Sequence, residues 1–156
     1  MLVEKTRLFA GAFLKCQDEV LLMKRSPHKE IAPGMWSGVG GHIEESEINS
    51  PITACLREIE EESGILPSQI EKLDLRYFAL FKSAESLDSV YYFIGELKEK
   101  CSLRQTSEGT LRWVKLEDGI DYEMSNHVKR IYLHWINNLT NESLYCFLGE
   151  DINLLG

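Results

Sequence analysis

The sequence predicts an α+β fold, a mixed β-sheet flanked by helices, and three observations lead there. Short apolar runs of strand length recur along the chain, bounded by turn residues. Two longer segments repeat their apolar residues at helical spacing instead. Strands and helices are interleaved without the regular βα alternation that builds an all-parallel sheet. At 156 residues the chain has the length of one domain, residues 1–156, with enough sequence to bury a core. Its apolar content of 44%, with 10% aromatics, fits a globular protein.

Leu8–Lys15 is short and apolar and reads as a strand. Gln17-Asp18 then turns the chain into Glu19–Arg25, so the pair forms a hairpin. Ser26–Met35 holds two prolines and a glycine and is a loop. Trp36–Gly41 is too rich in glycine for an ordinary strand; it reads as backbone brought close to another group. Ser50 suits a helix N-cap, and Pro51 suits the first helical position, where its missing N–H costs nothing. Ile52, Cys55, Leu56 and Ile59 follow at i, i+3, i+4 and i+7 as one apolar stripe, and Gly64 ends the helix. Leu73–Lys82 and Ser89–Leu97 are strands joined by a polar turn at Ala84–Ser86, and Leu111–Lys115 is a short strand. Tyr122–Asn137 is a second helix, its stripe of Val128, Ile131, Tyr132 and Trp135 facing the core. The last dozen residues, Tyr145–Gly156, fit a strand or a frayed end equally well.

The net charge is −8, from 25 acidic against 17 basic residues, which argues against a broad nucleic-acid-binding surface. An enzyme for phosphorylated small molecules remains compatible, because a metal ion supplies local positive charge. No apolar run approaches the length of a membrane span. The N-terminal residues lack the charged-then-apolar pattern of a signal peptide, so a cytoplasmic location is expected. Cys16, Cys55, Cys101 and Cys146 are scattered without a C-x-x-C pair, which points to reduced thiols and not to disulfides or zinc.

Gly40–Ile65, GGHIEESEINSPITACLREIEEESGI, is where chemistry concentrates. Glu58, Glu61 and Glu62 are spaced i, i+3, i+4 and share one helix face, about 100° around from the apolar stripe. Carboxylates stacked on one turn repel, and a hard divalent cation such as Mg²⁺ resolves the repulsion with carboxylate oxygens, water and substrate phosphate. A solvated acidic face is the ordinary alternative. Arg57, at i−4 to Glu61, and the glycine-rich approach make the cluster more specific than a charge run.

This stretch resembles the Nudix box, Gly-x5-Glu-x7-Arg-Glu-U-x-Glu-Glu-x-Gly-U, with U aliphatic. Gly41 and Glu47 match its first half; Arg57, Glu58, Ile59, Glu61, Glu62, Gly64 and Ile65 match the second. Nine residues, not seven, separate Glu47 from Arg57. The extra pair falls most naturally in the loop before Ser50, which keeps the helix register and places the departure at Glu47.

The resemblance implies the Nudix α/β/α sandwich and a hydrolase that cleaves the pyrophosphate bond of a nucleoside diphosphate derivative. It implies Mg²⁺, with Mn²⁺ as substitute, held by Glu58, Glu61 and Glu62, and an Arg57 that orients a helix carboxylate without touching substrate. The general base in the family is a box glutamate, here Glu61 or Glu62, or a carboxylate on a later loop. Glu108, before the tryptophan-bearing strand, is the candidate for that loop residue, with a plain turn glutamate as the alternative. Gly40, Gly41 and His42 are candidates for contact with phosphate or metal. Lys24 and Arg25 are weaker ones, because strand-end solvation explains them better.

Trp36–Gly41 is similar to the W-N-G-F-G-G run of oxidised-purine triphosphatases, with Ser37 where those enzymes carry asparagine. The implied substrate is a small molecule, a nucleoside triphosphate or related pyrophosphate, with 8-oxo-dGTP among the candidates. Neither a nucleic-acid polymer nor a membrane is an expected partner; many relatives dimerise, so a homodimer is compatible, while the sequence itself leaves the oligomeric state open. Two other classes share the fold: non-catalytic Nudix-like binding modules, which usually lose box glutamates, and enzymes resembling isopentenyl-diphosphate isomerase. The second needs further metal-binding and catalytic residues, a cysteine among them, that this sequence does not display.

Overall fold

The computed structural model describes the backbone of residues 5–149 and 151–155 and the side chains of residues 5–149. In chain order the elements are β1 (Lys5–Cys16), β2 (Glu19–Arg25), β3 (Trp36–Ser37), β4 (Val39–His42) and α1 (Pro51–Ser63). They continue with β5 (Ile70–Lys82), β6 (Ser86–Leu97), β7 (Gly109–Lys115), α2 (Asn126–Ile136), β8 (Leu144–Leu148) and β9 (Asp151–Leu155). The strands form one sheet ordered β3-β2-β1-β6-β5-β8-β9, with β4 also beside β1 and β7 beside β2. The sheet is mixed: β1 runs parallel to β6 and β5 to β8, while the hairpins β1–β2, β5–β6 and β8–β9 are antiparallel.

Side-chain alternation along β1 builds a core on each face of the sheet. Phe13 points to the α2 side, where it joins Tyr77, Tyr92, Ile131, Tyr132 and Trp135. Ala12 and Leu14 point to the α1 side and pack with Val39, Cys55, Ile59 and Phe93. The mixed sheet between two helices is the expected α+β sandwich. No described helix is long and apolar enough to cross a membrane. The cysteines are free thiols.

Several elements depart from the sequence reading, each for a physical reason. Trp36–Gly41 is not a plain loop approach but two short strands, β3 and most of β4. Its glycines are nonetheless required by close contact: a Cβ at Gly40 would lie 2.5 Å from the Ala10 carbonyl oxygen. β1 begins at Lys5 rather than Leu8, because parallel pairing with β6 starts at Lys5↔Ser86 and carries a polar segment into the sheet.

On α1 the buried face is Ala54, Cys55, Ile59, Glu62 and Ser63, while Ile52 is 39% exposed and Leu56 only half-buried. The buried face shares Cys55 and Ile59 with the expected stripe and is rotated from it toward Ala54 and Glu62. Ser50 stands at the N-cap position without a side-chain cap bond; its hydroxyl pairs with that of Thr53 at 2.8 Å. α2 starts at Asn126 and not Tyr122, because the chain before it is used elsewhere: Trp36 N–H donates to the Glu123 carbonyl at 2.8 Å. The last dozen residues include β8 and β9, apart from Glu150 and Gly156, which lie outside the described residues.

Candidate active site

The edge of β1 is shared between two partners. Phe9–Ala12 pairs with β4 and Leu14–Cys16 pairs with β2. A cleft of about 940 Å³ opens beside this junction, and α1 presents its acidic face to it. β4 leads through a tight turn, Glu45–Glu47, into α1, so the glycines and the glutamates reach the cleft from adjacent walls.

The two walls touch. Gly40 N–H donates to Glu62 Oε1 at 2.6 Å. A Cβ at Gly41 would lie 2.5 Å from Glu58 Oε1, so only glycine leaves room for that carboxylate. Arg57 binds the cluster from the side. Its Nε and one terminal nitrogen donate to the two Glu47 oxygens at 2.9 and 2.8 Å. The same terminal nitrogen reaches the His42 carbonyl at 3.0 Å. The other donates to Glu58 at 2.8 Å and Glu61 at 3.1 Å.

These neighbours set the protonation of the cluster. Burial raises Glu58 above its ordinary value, against the hydrogen bonds and charge of Arg57. Burial likewise pushes Glu62 to about 7, opposed by the Gly40 N–H and assisted by the Glu58 charge. Desolvation is thus the larger cause, and repulsion between like charges the smaller one. Glu47 goes the other way: hydrogen bonds from Arg57 hold it below the ordinary carboxylate range.

Among the described residues no three Cys, His, Asp or Glu side chains form a ready-made metal cage. The hydrogen bonds explain why, since Arg57 draws Glu58 and Glu61 to one side while Gly40 draws Glu62 to the other. The donor chemistry still fits a hard cation: oxygen ligands only, on one helix turn in a cleft, with burial raising two of them above the ordinary carboxylate value.

The NUDIX domain family model matches residues 5–136. The chain belongs to the NUDIX family. Solved structures with the same fold carry different activities in their names. MutT protein from Methanosarcina mazei Go1 is 21% identical, with a TM-score of 0.75 over 90% of this chain and 100% of that one. An Ap4A hydrolase from C. elegans is 20% identical, with a TM-score of 0.69 over 85% of this chain and 97% of that one. The NUDIX domain of Shewanella oneidensis NrtR, complexed with ADP ribose, is 20% identical, with a TM-score of 0.68 over 88% and 90%. Among curated proteins, none matches the chain. NUDIX hydrolases generally use a divalent metal.

Ser37, Gly40, Gly41, His42, Arg57, Glu58, Glu61, Glu62 and Glu108 all line the one cleft. Ser37 uses its hydroxyl locally, donating to the Gly38 carbonyl at 2.7 Å. His42 is exposed, with one ring face against Phe9 at 4.6 Å. Glu108 comes from the loop before β7 and forms an ion pair with Lys29. Arg25 lines the cleft and Lys24, pointing to the other side of β2, does not.

Three features went unread in the sequence. Glu47 is buried at 6% exposure as the bidentate partner of Arg57, despite the two extra residues between them. Lys29 reaches the cleft from the long loop. At another part of the cleft wall, Arg7 donates to buried Asp88 at 2.8 and 2.6 Å, and Ser86 adds a bond at 2.7 Å. Burial alone would raise Asp88, but those bonds outweigh it and hold the carboxyl below its ordinary value. Close by, His127 stacks on Phe81 at 4.2 Å, and burial pushes its imidazole down to about 4. Asp88 carried no signal of its own, because its partner lies across a parallel pairing that no local pattern reveals.

Proposed function

We propose that the protein is a Mg²⁺-dependent hydrolase, with Mn²⁺ as substitute, that cleaves the pyrophosphate bond of a nucleoside triphosphate or related nucleoside diphosphate derivative. The observation that carries this reading is the box assembled where two cleft walls meet, with Arg57 spanning Glu47, Glu58 and Glu61 and glycine backbone against Glu58 and Glu62. Glu58, Glu61 and Glu62 would hold the metal, which when bound neutralises phosphate oxygens and lowers the pKa of the attacking water.

The chain's own residues do the rest. Arg57 is locked on five acceptors and is a positioning residue, because no donor is left to approach substrate in the same geometry. Gly40 and Gly41 keep the β4 wall thin, so the phosphates lie against backbone. Glu108 receives the proton of the attacking water at a carboxylate oxygen, with Glu61 and Glu62 as the alternatives on the box. The water oxygen bonds to phosphorus as the bridging P–O bond breaks, and the bridging oxygen leaves with its phosphate group. Positioning and charge neutralisation dominate catalysis of this kind.

A panel of nucleoside triphosphates, dinucleoside polyphosphates and nucleotide sugars, with products identified by mass, tests the reading. 8-oxo-dGTP belongs in it because of the Trp36–Gly41 run. Hydrolysis of at least one member, abolished by excess chelator, is expected. No turnover of any member, or full turnover in chelator, overturns the reading.

A further inference from the structure

The cations around the cleft differ in how firmly they are held. Arg7 is bidentate to buried Asp88, and Arg57 is spread over Glu47, Glu58, Glu61 and the His42 carbonyl. Arg25 donates through Nε to the Ile31 carbonyl at 2.8 Å. Lys29 is different: among the described residues its ammonium is held by the Glu108 carboxylate alone, and the two side chains are 33% and 42% exposed.

Backbone bonds place this pair at the cleft. Ser26 N–H donates to the Glu108 carbonyl at 3.1 Å, which ties the Ser26–Met35 loop to the loop before β7. Lys29 N–H closes a turn on the Ser26 carbonyl at 3.1 Å, and Gly34 N–H returns to the Arg25 carbonyl at 3.0 Å. The loop is therefore anchored near both ends, and the lysine stem extends from it to Glu108 at the cleft. The charge of Lys29 already reaches Glu58 and Glu62, where it offsets part of the effect of burial.

We propose that Lys29 is a phosphate-binding residue, held by Glu108 in the free protein and surrendered to the phosphate chain when substrate enters. An ion pair this exposed is weak, because solvent screens it and ordering two long side chains costs entropy. A polyphosphate offers several charged oxygens in place of one carboxylate. The exchange also leaves the Glu108 carboxylate without its cation, as a proton acceptor requires. The proposal rests on the hydrolase reading above.

Calorimetric titration with α,β-methylene nucleoside triphosphates in Mg²⁺, against the corresponding nucleoside monophosphates, tests it. Lys29→Gln should weaken analogue binding about tenfold, with Lys29→Arg restoring most of the loss. Monophosphate affinity should stay within about twofold, since only the longer phosphate chain meets Lys29. Glu108→Gln, which removes the competitor, should tighten analogue binding, and the double variant should match Lys29→Gln. Wild-type protein that binds the analogue, with Lys29→Gln unchanged or Glu108→Gln weakened, overturns the proposal alone. Wild-type protein that binds no analogue yet turns over a member of the panel also overturns the proposal alone, and no binding together with no turnover overturns both.

Discussion

α1 and α2 pack on opposite faces of one sheet and bury different materials there. α2 buries rings: Trp135 stacks on Phe13 at 5.4 Å and 3°, and Tyr132 meets both in edge-on contacts. The Tyr132 hydroxyl in that group is satisfied, since it donates to the Leu116 carbonyl at 2.6 Å. α1 buries Ala54, Cys55 and Ile59 and then Glu62 and Ser63, so charge stands where the opposite helix has an indole. A carboxylate at 5% exposure with its pKa pushed up is costly in the metal-free fold. The acidic face of α1 and the aromatic core under α2 thus lie on opposite sides of the sheet, and the cleft reaches from the first to His127 and Val128 of the second. Departure from good packing marks the functional side.

Paired substitutions break this comparison most sharply. Glu62→Gln should reduce kcat/KM on the order of 1,000-fold, while metal-free melting stays equal or rises. Trp135→Ala should cost about 3–5 kcal/mol of stability and leave the kcat of the folded fraction within a few-fold. Denaturant curves and steady-state kinetics on both variants decide the matter. A Glu62→Gln protein that unfolds would move Glu62 to the structural side.

Arg57 tests whether α1 is organised from its flank. Arg57→Ala should lower kcat by about 100-fold, because a shift of about 1 Å in positioned groups has that effect. It should also lower the melting temperature, since Glu47 is left buried without its partner. Arg57→Lys should rescue little of either, for an ammonium cannot serve two Glu47 oxygens and Glu58 together. Equal activity of the lysine variant would show that charge alone suffices.

The pH dependence separates the faces again. Glu62 rises from an ordinary 4.5 to about 7 in the fold, so the folded state holds its proton more tightly than the unfolded chain does. Stability from this group is full below pH 4.5 and lost as pH rises to 7, by about 3 kcal/mol. Glu47, held low, acts with the opposite sign: its contribution is present above the ordinary carboxylate pKa and lost on acidification. Urea titrations of metal-free protein at pH 5 and pH 7.5 should show the loss, and Glu62→Gln should flatten it. Saturating Mg²⁺ at pH 7.5 should raise melting by mass action, less so in the variant. A wild-type slope equal to that of Glu62→Gln would remove burial of this carboxylate as the cause.

What was legible in the sequence follows the same division. The α2 stripe was readable because Val128, Ile131, Tyr132 and Trp135 obey one rule, burial of apolar groups. The box was readable as a string, yet the apolar face of α1 was misplaced because Glu62 and Ser63 occupy buried positions that hydrophobicity assigns to Ile52 and Leu56. Glu47 was hidden by its loop: the two extra residues are absorbed after the turn, and Glu47 is fixed by the Glu44 N–H at 3.0 Å as well as by Arg57. Arg7 and Asp88 are 81 residues apart in sequence and meet only through parallel pairing of β1 with β6. β8 was ambiguous because its place depends on a parallel match to β5.

The smallest expected effect concerns Ser37, the position at which the chain differs from the oxidised-purine run. Its hydroxyl donates to the neighbouring Gly38 carbonyl, so that proton is not offered to a base in the cleft. Ser37→Ala should therefore change relative kcat/KM across a purine and pyrimidine panel by less than about threefold, the loss of one weak neutral hydrogen bond at most. Ser37→Asn carries a longer amide with two donors and an acceptor. It should favour oxidised purines over pyrimidines if a base lies within its reach. Asp88→Asn supplies the contrast, because Asp88 is buried, charged and bound to Arg7 on the cleft wall. A larger change in preference from Asp88→Asn than from Ser37→Ala would place base discrimination with the Arg7–Asp88 pair. The reverse order would return it to the glycine-rich strand, and with it the meaning of the serine.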